Sequence, residues 1–211
     1  MNTHNTLRIW GRMSSVNVKK VVWTAQELGL EFQRTEAGGA FGVVKTPEYM
    51  GLNPNSLVPV IEDNGFVLWE SNVIVRYLCA KHSPGRLYPT DLHERFSAER
   101  WMEWQQTAVN PAARTGFWQL IRTAPEMRDA AAIAQSNAAV EVLMGLLDAH
   151  LSQHAYMAGE HFTMADIPLG CDVHRWFNLP QQRQSRPHIE RWFKSLCARQ
   201  ASVGVLDMAL S

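Results

Sequence analysis

The chain has 211 residues, 46% of them hydrophobic, and its 20 Lys and Arg residues balance 20 Asp and Glu residues, so the net charge is zero. This balance, with no basic run longer than Lys19-Lys20, argues against nucleic acid as the main partner, because binding to phosphates needs a basic excess on one face. The length suits two modest domains, and no stretch approaches the roughly 18 consecutive apolar residues that cross a membrane.

The N-terminus and the cysteines indicate the cellular compartment. Residues 1–7 contain neither the basic nor the apolar region of a secretory signal. Three cysteines are odd in number and far apart, with no CxxC pair, namely Cys79, Cys171 and Cys197. We therefore expect reduced thiols in a cytoplasmic protein, with neither disulfides nor a zinc site. His150 and His154 lie four residues apart, but no third ligand is evident, so we expect no metal.

The N-terminal part of the chain predicts an α/β unit that begins with strand, helix and strand. Residues 6–10 alternate in the manner of a half-buried strand, and residues 31–35 predict a second one. Between them Ser14 or Ser15 can cap a helix, and Gly29 ends it. The apolar positions of this helix recur at helical spacing, namely Val18, Val21, Val22, Ala25 and Leu28. This order favours a parallel pair of strands.

The same unit continues with two strands and a helix. Residues 47–50 predict one helical turn, and residues 57–61 predict a third strand with a proline inside it. Residues 63–65 form an Asp-Asn-Gly hairpin turn that leads into a fourth strand, residues 66–69. Ser71 is then predicted to cap the helix that follows. The full order is βαβ followed by ββα.

The rest of the chain is helical in pattern. We place the α/β domain at residues 1–82, a Ser-Pro-Gly-rich linker at 83–92 and an all-helical domain at 93–211. Residues 123–126 are predicted to form a capping box for a long helix with Val140, Leu143, Met144, Leu147 and Leu151 on one face. Residues 163–166 are predicted to cap another helix. The last helix carries Ile189, Trp192, Phe193 and Leu196.

Two segments of the α/β domain are candidates for ligand contacts. Pro59 removes a donor from a strand, and a cis bond before it would let the Val58 backbone pair with a peptide-like ligand; an ordinary edge-strand proline fits as well. Glu70-Ser71 opens a helix, so it could hold a carboxylate at the helix N-terminus and an ammonium on Glu70; a plain N-cap is the simpler explanation. The same choice applies to Ser14-Ser15.

In chain order these segments resemble the cytosolic glutathione transferase family. The matching pieces are residues 53–59, 68–72, 76–78 and 163–167, and together they span nearly the whole chain. Residues 10–21 are similar to bacterial serine-type members, of the theta, phi or beta-like branch. The resemblance implies a thioredoxin-like N-terminal domain followed by an all-helical domain. It also implies a cytoplasmic, homodimeric enzyme of detoxification, with glutathione as co-substrate and no metal.

The resemblance implies a role for each matching residue. Pro59 corresponds to the cis-proline of the family, and Val58 to the residue whose backbone pairs with the cysteinyl part of glutathione. Glu70 and Ser71 would hold the γ-glutamyl group, and Lys45 the glycyl carboxylate. Many relatives carry a polar residue where this chain has Leu57, so one side-chain contact of the glutathione site is expected to be missing. Ser15 corresponds to the catalytic serine.

Ser15 is expected to donate a hydrogen bond to the glutathione thiolate. A thiol has a pKa of about 8.5, and its thiolate is the nucleophile. Ser15 has no adjacent base, so a covalent role is not expected. The tyrosine and cysteine of other branches are absent near position 15, whereas Asn17 or Ser14 could replace or assist Ser15.

The second substrate is expected to contact the helical domain. The candidate wall consists of Arg12, Trp104, Asn110, Arg114, Phe117 and Trp118, although aromatic residues there could equally fill the core. Conjugation to a small hydrophobic electrophile is the leading function. Peroxidase or dehalogenase chemistry on the same site is an alternative, and so is a non-catalytic ligand carrier or scaffold with this fold. The expected partners are glutathione, a small electrophile and a second copy of the chain, without nucleic acid or membrane.

Overall fold

The computed structural model describes residues 7–211, so Thr6 and the other residues of the N-terminal stretch lie outside the described residues. The chain divides into two compact units, the first ending at Tyr88 and the second beginning at Pro89. This boundary falls within the segment predicted as a linker, residues 83–92.

The first unit is a four-stranded sheet with helices. The strand order is β2-β1-β3-β4, in which β1 pairs parallel with β2 and antiparallel with β3, and β3 pairs antiparallel with β4. The predicted βαβ–ββα order is therefore confirmed. The elements are β1 (Leu7–Trp10), α1 (Val16–Glu27), β2 (Phe32–Thr35), α2 (Pro47–Leu52), β3 (Val60–Asp63), β4 (Phe66–Trp69) and α3 (Ser71–His82).

Two turns of this unit follow directly from glycine. Helix α1 ends at Glu27, and the chain turns away at Gly29, whose φ of 64° is left-handed. The amides of Gly29 and Leu30 donate to the carbonyls of Gln26 and Ala25. These bonds satisfy the last carbonyls of the helix. The β3–β4 hairpin turns at Asn64 and Gly65, both with positive φ, as a tight type I′ turn requires. Both predicted turns are confirmed.

Two local predictions in this unit are wrong, and a third, the Ser15 cap, is confirmed in position only. Strand β3 begins at Val60, not at Leu57, because a proline lacks the amide that a strand ladder needs. Ser71 is the first residue of α3, and the cap position belongs to Glu70. Ser15 lies at the cap position of α1 but makes no side-chain cap bond.

The second unit consists of helices α4 (Leu92–Trp104), α5 (Asn110–Phe117), α6 (Ala130–Leu151), α7 (Asp166–Asn178) and α8 (Pro187–Cys197). Two π-helical segments, Gln105–Val109 and Trp118–Arg122, continue the first two of these helices. Pro111 explains the first segment, since a proline has no amide and its ring clashes with the carbonyl four residues earlier. A widened turn before it relieves that clash.

The predicted capping box at residues 123–126 is wrong. Residues Pro125–Met127 form a short 3-10 turn, and helix α6 begins only at Ala130. Its cap is Asp129, whose carboxylate accepts from the amides of Ala131 and Ala132 at 2.9 and 3.0 Å. Two good N-cap residues lie six positions apart here, and the proline favours a turn between them.

The start of α7 is a buried capping box, as the sequence predicts. The Asp166 carboxylate accepts from the amides of Thr163 and Met157 at 2.8 and 3.0 Å. It also accepts from the indole of Trp192 in α8, at 2.9 Å. Burial raises the pKa of Asp166 to about 6, although these donors act in the opposite direction. One carboxylate therefore joins the start of α7, the preceding loop and α8.

Helix α6 is, by length and composition, the one helix among residues 7–211 that could cross a membrane, with a mean hydropathy of 1.4. A single helix of this kind is weak evidence for a membrane span, because a core helix of a soluble protein meets the same criterion. Helix α6 packs against α5 and α8, and Ser136, Asn137 and Glu141 interrupt its apolar run.

We expect Asp166→Asn to lower the free energy of unfolding by about 2–4 kcal/mol, because an amide nitrogen replaces one accepting oxygen and leaves buried donors unpaired. Urea denaturation at pH 7.5 measures this loss. Glu126→Gln, on the exposed turn before α6, is the matched control and should change nothing.

The pH dependence follows from the raised pKa. In the folded state Asp166 takes up its proton near pH 6, whereas its ordinary value is 3.8. This group therefore favours folding most strongly below about pH 4, and the contribution is lost as the pH rises through 6. The gap in stability between wild type and Asp166→Asn should widen from pH 7.5 to pH 5. A constant gap would contradict the raised pKa.

Candidate active site

Ser15 lies at the N-terminus of α1 with a hydroxyl that caps nothing. Its backbone is extended, with φ of −90° and ψ of 122°, and its side chain makes no cap bond to the helix. Its carbonyl accepts the first bond of the helix, from the Lys19 amide at 3.0 Å. The hydroxyl therefore sits beside the free amides and the positive end of the helix dipole, where it can donate to an anion.

The two alternatives to Ser15 have other partners. Ser14 Oγ accepts from Arg12 Nε at 3.0 Å. Asn17 Oδ1 accepts from Ser71 Oγ at 3.2 Å. The Ser14 and Asn17 side chains are therefore engaged by neighbouring residues, whereas the Ser15 side chain makes no cap bond to its helix.

The bond between Asn17 and Ser71 joins the starts of two helices. Asn17 lies in the first turn of α1, and Ser71 is the buried first residue of α3. Helices α1 and α3 also pack along their length. Glu70, just before α3, has a φ of 73° and an exposed side chain. Two sets of free helix amides and one exposed carboxylate thus lie in the same region of the unit.

A cis peptide bond and hydrogen bonds to a backbone carbonyl fix the segment before β3. The Val58–Pro59 peptide bond is cis. The Leu57 carbonyl accepts from Tyr49 Oη at 2.8 Å and from Asn53 Nδ2 at 2.9 Å, whereas the Leu57 side chain is 63% exposed. Burial raises the pKa of Tyr49 to about 12, so its hydroxyl stays protonated and donates. Sequence reasoning missed Tyr49 and Asn53, because nothing in their spacing shows that they meet Leu57.

Three glycines make room for this segment and for Arg12. A Cβ on Gly11 would lie 3.2 Å from the Cβ of Val58, and closer still to Val18. A Cβ on Gly38 or Gly39 would approach the Arg12 guanidine group within 2.8 or 2.9 Å. All three glycines have positive φ. Arg12 and the Val58 side chain therefore pack directly on glycine backbone, on the side of the sheet where α1 begins.

Lys45 is not among the residues that make the contacts described for Arg12 and Val58. It is exposed in the loop between residues 41 and 47, just before α2. The loop itself is built by backbone bonds, from Val44 to the Gly42 carbonyl and from Thr46 to the Val43 carbonyl, both 2.8 Å.

The candidates for the electrophile wall fall in both units. Arg12 belongs to the first unit, and the other five lie on α4, α5 and the following π-helical segment of the second. The Trp104 ring packs edge-on against Trp101 at 5.2 Å. Arg114 is exposed, and Trp118 is 48% exposed, whereas Phe117 is 5% exposed. Phe117 thus forms part of the core, and Trp118 and Arg114 face solvent within their unit.

His150 contacts aromatic rings and a backbone carbonyl of the second unit. Its ring stacks between those of Trp101 and His154 at 4.5 and 4.4 Å, and Nε2 lies 3.0 Å from the Met157 carbonyl. Over residues 7–211 there is no group of three or more His, Cys, Asp or Glu side chains arranged to hold a metal ion.

Comparison with known proteins identifies the family. The model "Glutathione S-transferase, N-terminal domain" matches residues 5–80, and "Glutathione S-transferase, C-terminal domain" matches residues 109–200. The chain is 38% identical to glutathione S-transferase GstB of Escherichia coli, over 97% of this chain and 100% of that protein. It is 33% identical to elongation factor 1-gamma 1 of Oryza sativa, over 71% of this chain and 36% of that protein.

A solved structure agrees with this result. The theta class glutathione S-transferase from Xanthomonas axonopodis pv. citri, with glutathione bound, superposes with a TM-score of 0.95 at 41% identity, covering 98% of this chain and 100% of that one. This comparison confirms the predicted thioredoxin-like domain and the helical domain that follows it. It also confirms the prediction that the chain is a glutathione transferase. The chain belongs to the glutathione S-transferase family.

Proposed function

We propose that this chain binds glutathione in its first unit, lowers the pKa of the thiol at Ser15 and transfers the thiolate to a small hydrophobic electrophile. The observation that carries the proposal is the free Ser15 hydroxyl at the start of α1, beside the start of α3. A donor at a helix N-terminus stabilises a thiolate but not a neutral thiol, so it lowers the thiol pKa.

The energy required is modest. Lowering a thiol pKa by about 2 units requires about 2.7 kcal/mol of selective stabilisation. One charge-assisted hydrogen bond and the end of a helix dipole supply an amount of this order. The thiolate then forms a bond to the electrophilic carbon, and the displaced group leaves with its electron pair, or the pair moves onto the acceptor in an addition.

The remaining site residues hold the peptide. Glu70 pairs with the ammonium of the γ-glutamyl group, and the first backbone amides of α3, beginning with that of Ser71, bind its carboxylate. The Val58 backbone, next to Pro59, pairs with the cysteinyl unit, and Leu57 contributes its exposed side chain. Lys45 binds the glycyl carboxylate. The electrophile wall in the second unit consists of Trp104, Asn110, Arg114, Phe117 and Trp118, and the buried Phe117 supports it from the core. Arg12 of the first unit is a further candidate.

We further infer a soluble cytoplasmic homodimer with a role in detoxification, which works without metal, nucleic acid or membrane. The domain limits that we propose remain 1–82, 83–92 and 93–211. Sedimentation equilibrium of the purified chain tests the dimer.

Peroxidase or dehalogenase activity remains the second enzymatic candidate, because the same thiolate attacks a peroxide oxygen or displaces halide. Comparing turnover of a hydroperoxide, an alkyl halide and an aromatic halide separates these reactions. A scaffold is the non-enzymatic candidate, since the fold also matches part of an elongation factor 1-gamma.

Wild-type protein should be retained on immobilised glutathione and eluted by free glutathione, because the site binds the whole peptide. Passage through the column, together with no thiol transfer in solution, would favour the scaffold.

Ser15→Ala should raise the pKa of the bound thiol by about one to two units and lower kcat/KM about 10- to 100-fold at pH 6.5, because each unit is tenfold in thiolate. The pH profile of turnover measures both effects. Ser14→Ala, which removes the acceptor of Arg12 Nε, should leave the thiol pKa unchanged. If Ser14→Ala shifts the pKa and Ser15→Ala does not, Ser15 is not the thiolate donor.

Glu70→Gln should weaken glutathione binding about tenfold, because a charge-assisted bond to the ammonium becomes a neutral one. Isothermal titration calorimetry measures this loss. Glu48→Gln, an exposed glutamate in the first turn of α2, is the control. Equal affinity of both variants would remove Glu70 from the site.

A further inference from the structure

A buried arginine contacts the aromatic part of the second unit. Arg175, in α7, is only 8% exposed. Its guanidinium carbon lies 4.1 Å from the centre of the Phe117 ring in α5. A planar guanidinium at this distance from a ring is a favourable cation–π arrangement, and it gains strength when water is excluded.

A fixed negative charge stabilises this arginine. Asp172, one helical turn earlier in α7, is 3% exposed. Its Oδ2 accepts from Gln105 Nε2 at 2.6 Å, and Gln105 begins the π-helical segment before α5. Burial lowers the pKa of Arg175, and the charge of Asp172 acts in the opposite direction. Gln105 thus holds the carboxylate, and the carboxylate allows the buried guanidinium to remain charged.

A small cavity borders the Asp172 and Arg175 side chains. Helix α5 lines this cavity with small side chains, including Ala113 and Gly116. The cavity leaves about 10 Å³ for the centre of a water molecule, close to the minimum that one water requires. Arg175 therefore lies between this cavity and the Phe117 ring, 4.1 Å from the ring centre.

A second guanidinium lies close to the same ring and to its neighbour. Arg122 is 5.3 Å from the centre of Phe117 and 5.4 Å from that of Trp118. One of its nitrogens donates to the Ser211 carbonyl at 2.6 Å. Arg122 therefore lies close to both rings, the buried Phe117 and the exposed Trp118.

We infer that Arg175 is a positioning residue that fixes Phe117, and through Arg122 the exposed Trp118, and thereby sets the preference for flat aromatic electrophiles over small alkyl ones. This inference rests on the proposed function, in which Phe117 and Trp118 belong to the electrophile wall. A flat ring gains most from an ordered aromatic surface, because stacking depends on orientation. A small alkyl halide depends on it much less.

The test is a double-mutant cycle with Arg175→Met and Phe117→Leu. At saturating glutathione, kcat/KM is measured for a chloronitrobenzene and for a small alkyl halide. Arg175→Met should lower the ratio of the two values at least fivefold and leave the KM for glutathione within twofold. In the Phe117→Leu background the same change should alter the ratio less than twofold. An equal shift in both backgrounds, or no shift in either, overturns the inference.

Two further variants complete the design. Asp172→Asn keeps the shape but removes the counter-charge, and it should shift the ratio in the same direction; it replaces Arg175→Met if that variant does not fold. Arg183→Met is the matched control, because Arg183 also lies over rings of the second unit, Trp176 and Phe177 at 5.8 and 5.7 Å. It should leave the ratio unchanged, and an equal loss in this control overturns the inference.

Urea unfolding of the four proteins in the cycle separates this inference from the proposed function. Coupling between Arg175 and Phe117 in unfolding free energy does not require turnover. If wild type neither binds glutathione nor converts an electrophile, the proposed function fails, and the unfolding cycle still shows whether Arg175 holds Phe117. Strictly additive effects in that cycle overturn the positioning role.

Discussion

The candidate site depends on the bond between Ser71 and Asn17, which joins the starts of helices α1 and α3. In the strand order β2-β1-β3-β4, strands β1 and β4 are both antiparallel to β3, so their C-terminal ends lie at the same end of the sheet. Helix α1 follows β1 in the chain, and helix α3 follows β4. Both sets of free amides therefore lie near each other. The positive ends of two helix dipoles favour a ligand with a thiolate and a carboxylate, and they do so before any side chain acts.

The other part of the candidate site is the backbone of residues 57–59. Residues outside the proposed ligand contacts hold this segment in place. Tyr49 and Asn53 occupy both lone pairs of the Leu57 carbonyl, so that carbonyl is not available to a peptide. Because Gly11 and Gly38 have no Cβ, the Val58 side chain packs directly against the backbone at these two positions. The peptide groups around Val58 are therefore fixed before binding, which reduces the entropy that a bound peptide must lose.

The sequence predicted those features whose cause is local. Gly29 and Asn64-Gly65 specify their turns by backbone conformation alone, and the alternation and helical spacing of apolar residues located the strands and helices. It failed where neighbours in space decide. Ser71 bonds to Asn17 instead of capping its helix, and Asp129 caps α6 instead of Thr123. Tyr49, Asn53 and Arg175 act through contacts far along the chain, so spacing gave no signal for them.

The two units differ in where their candidate functional polar groups lie, although both bury charged side chains. The first leaves polar groups open at helix starts, where a charged ligand can pair with them. The second buries Gln105, Asp172 and Arg175 among apolar helices, which is costly unless the charges are matched. A core made only of apolar side chains would be at least as stable, so stability alone does not explain this choice. Directional contacts fix one arrangement of the rings, whereas apolar packing tolerates several. We therefore attribute the buried charges to the need for one defined aromatic surface on α5 and the segment after it.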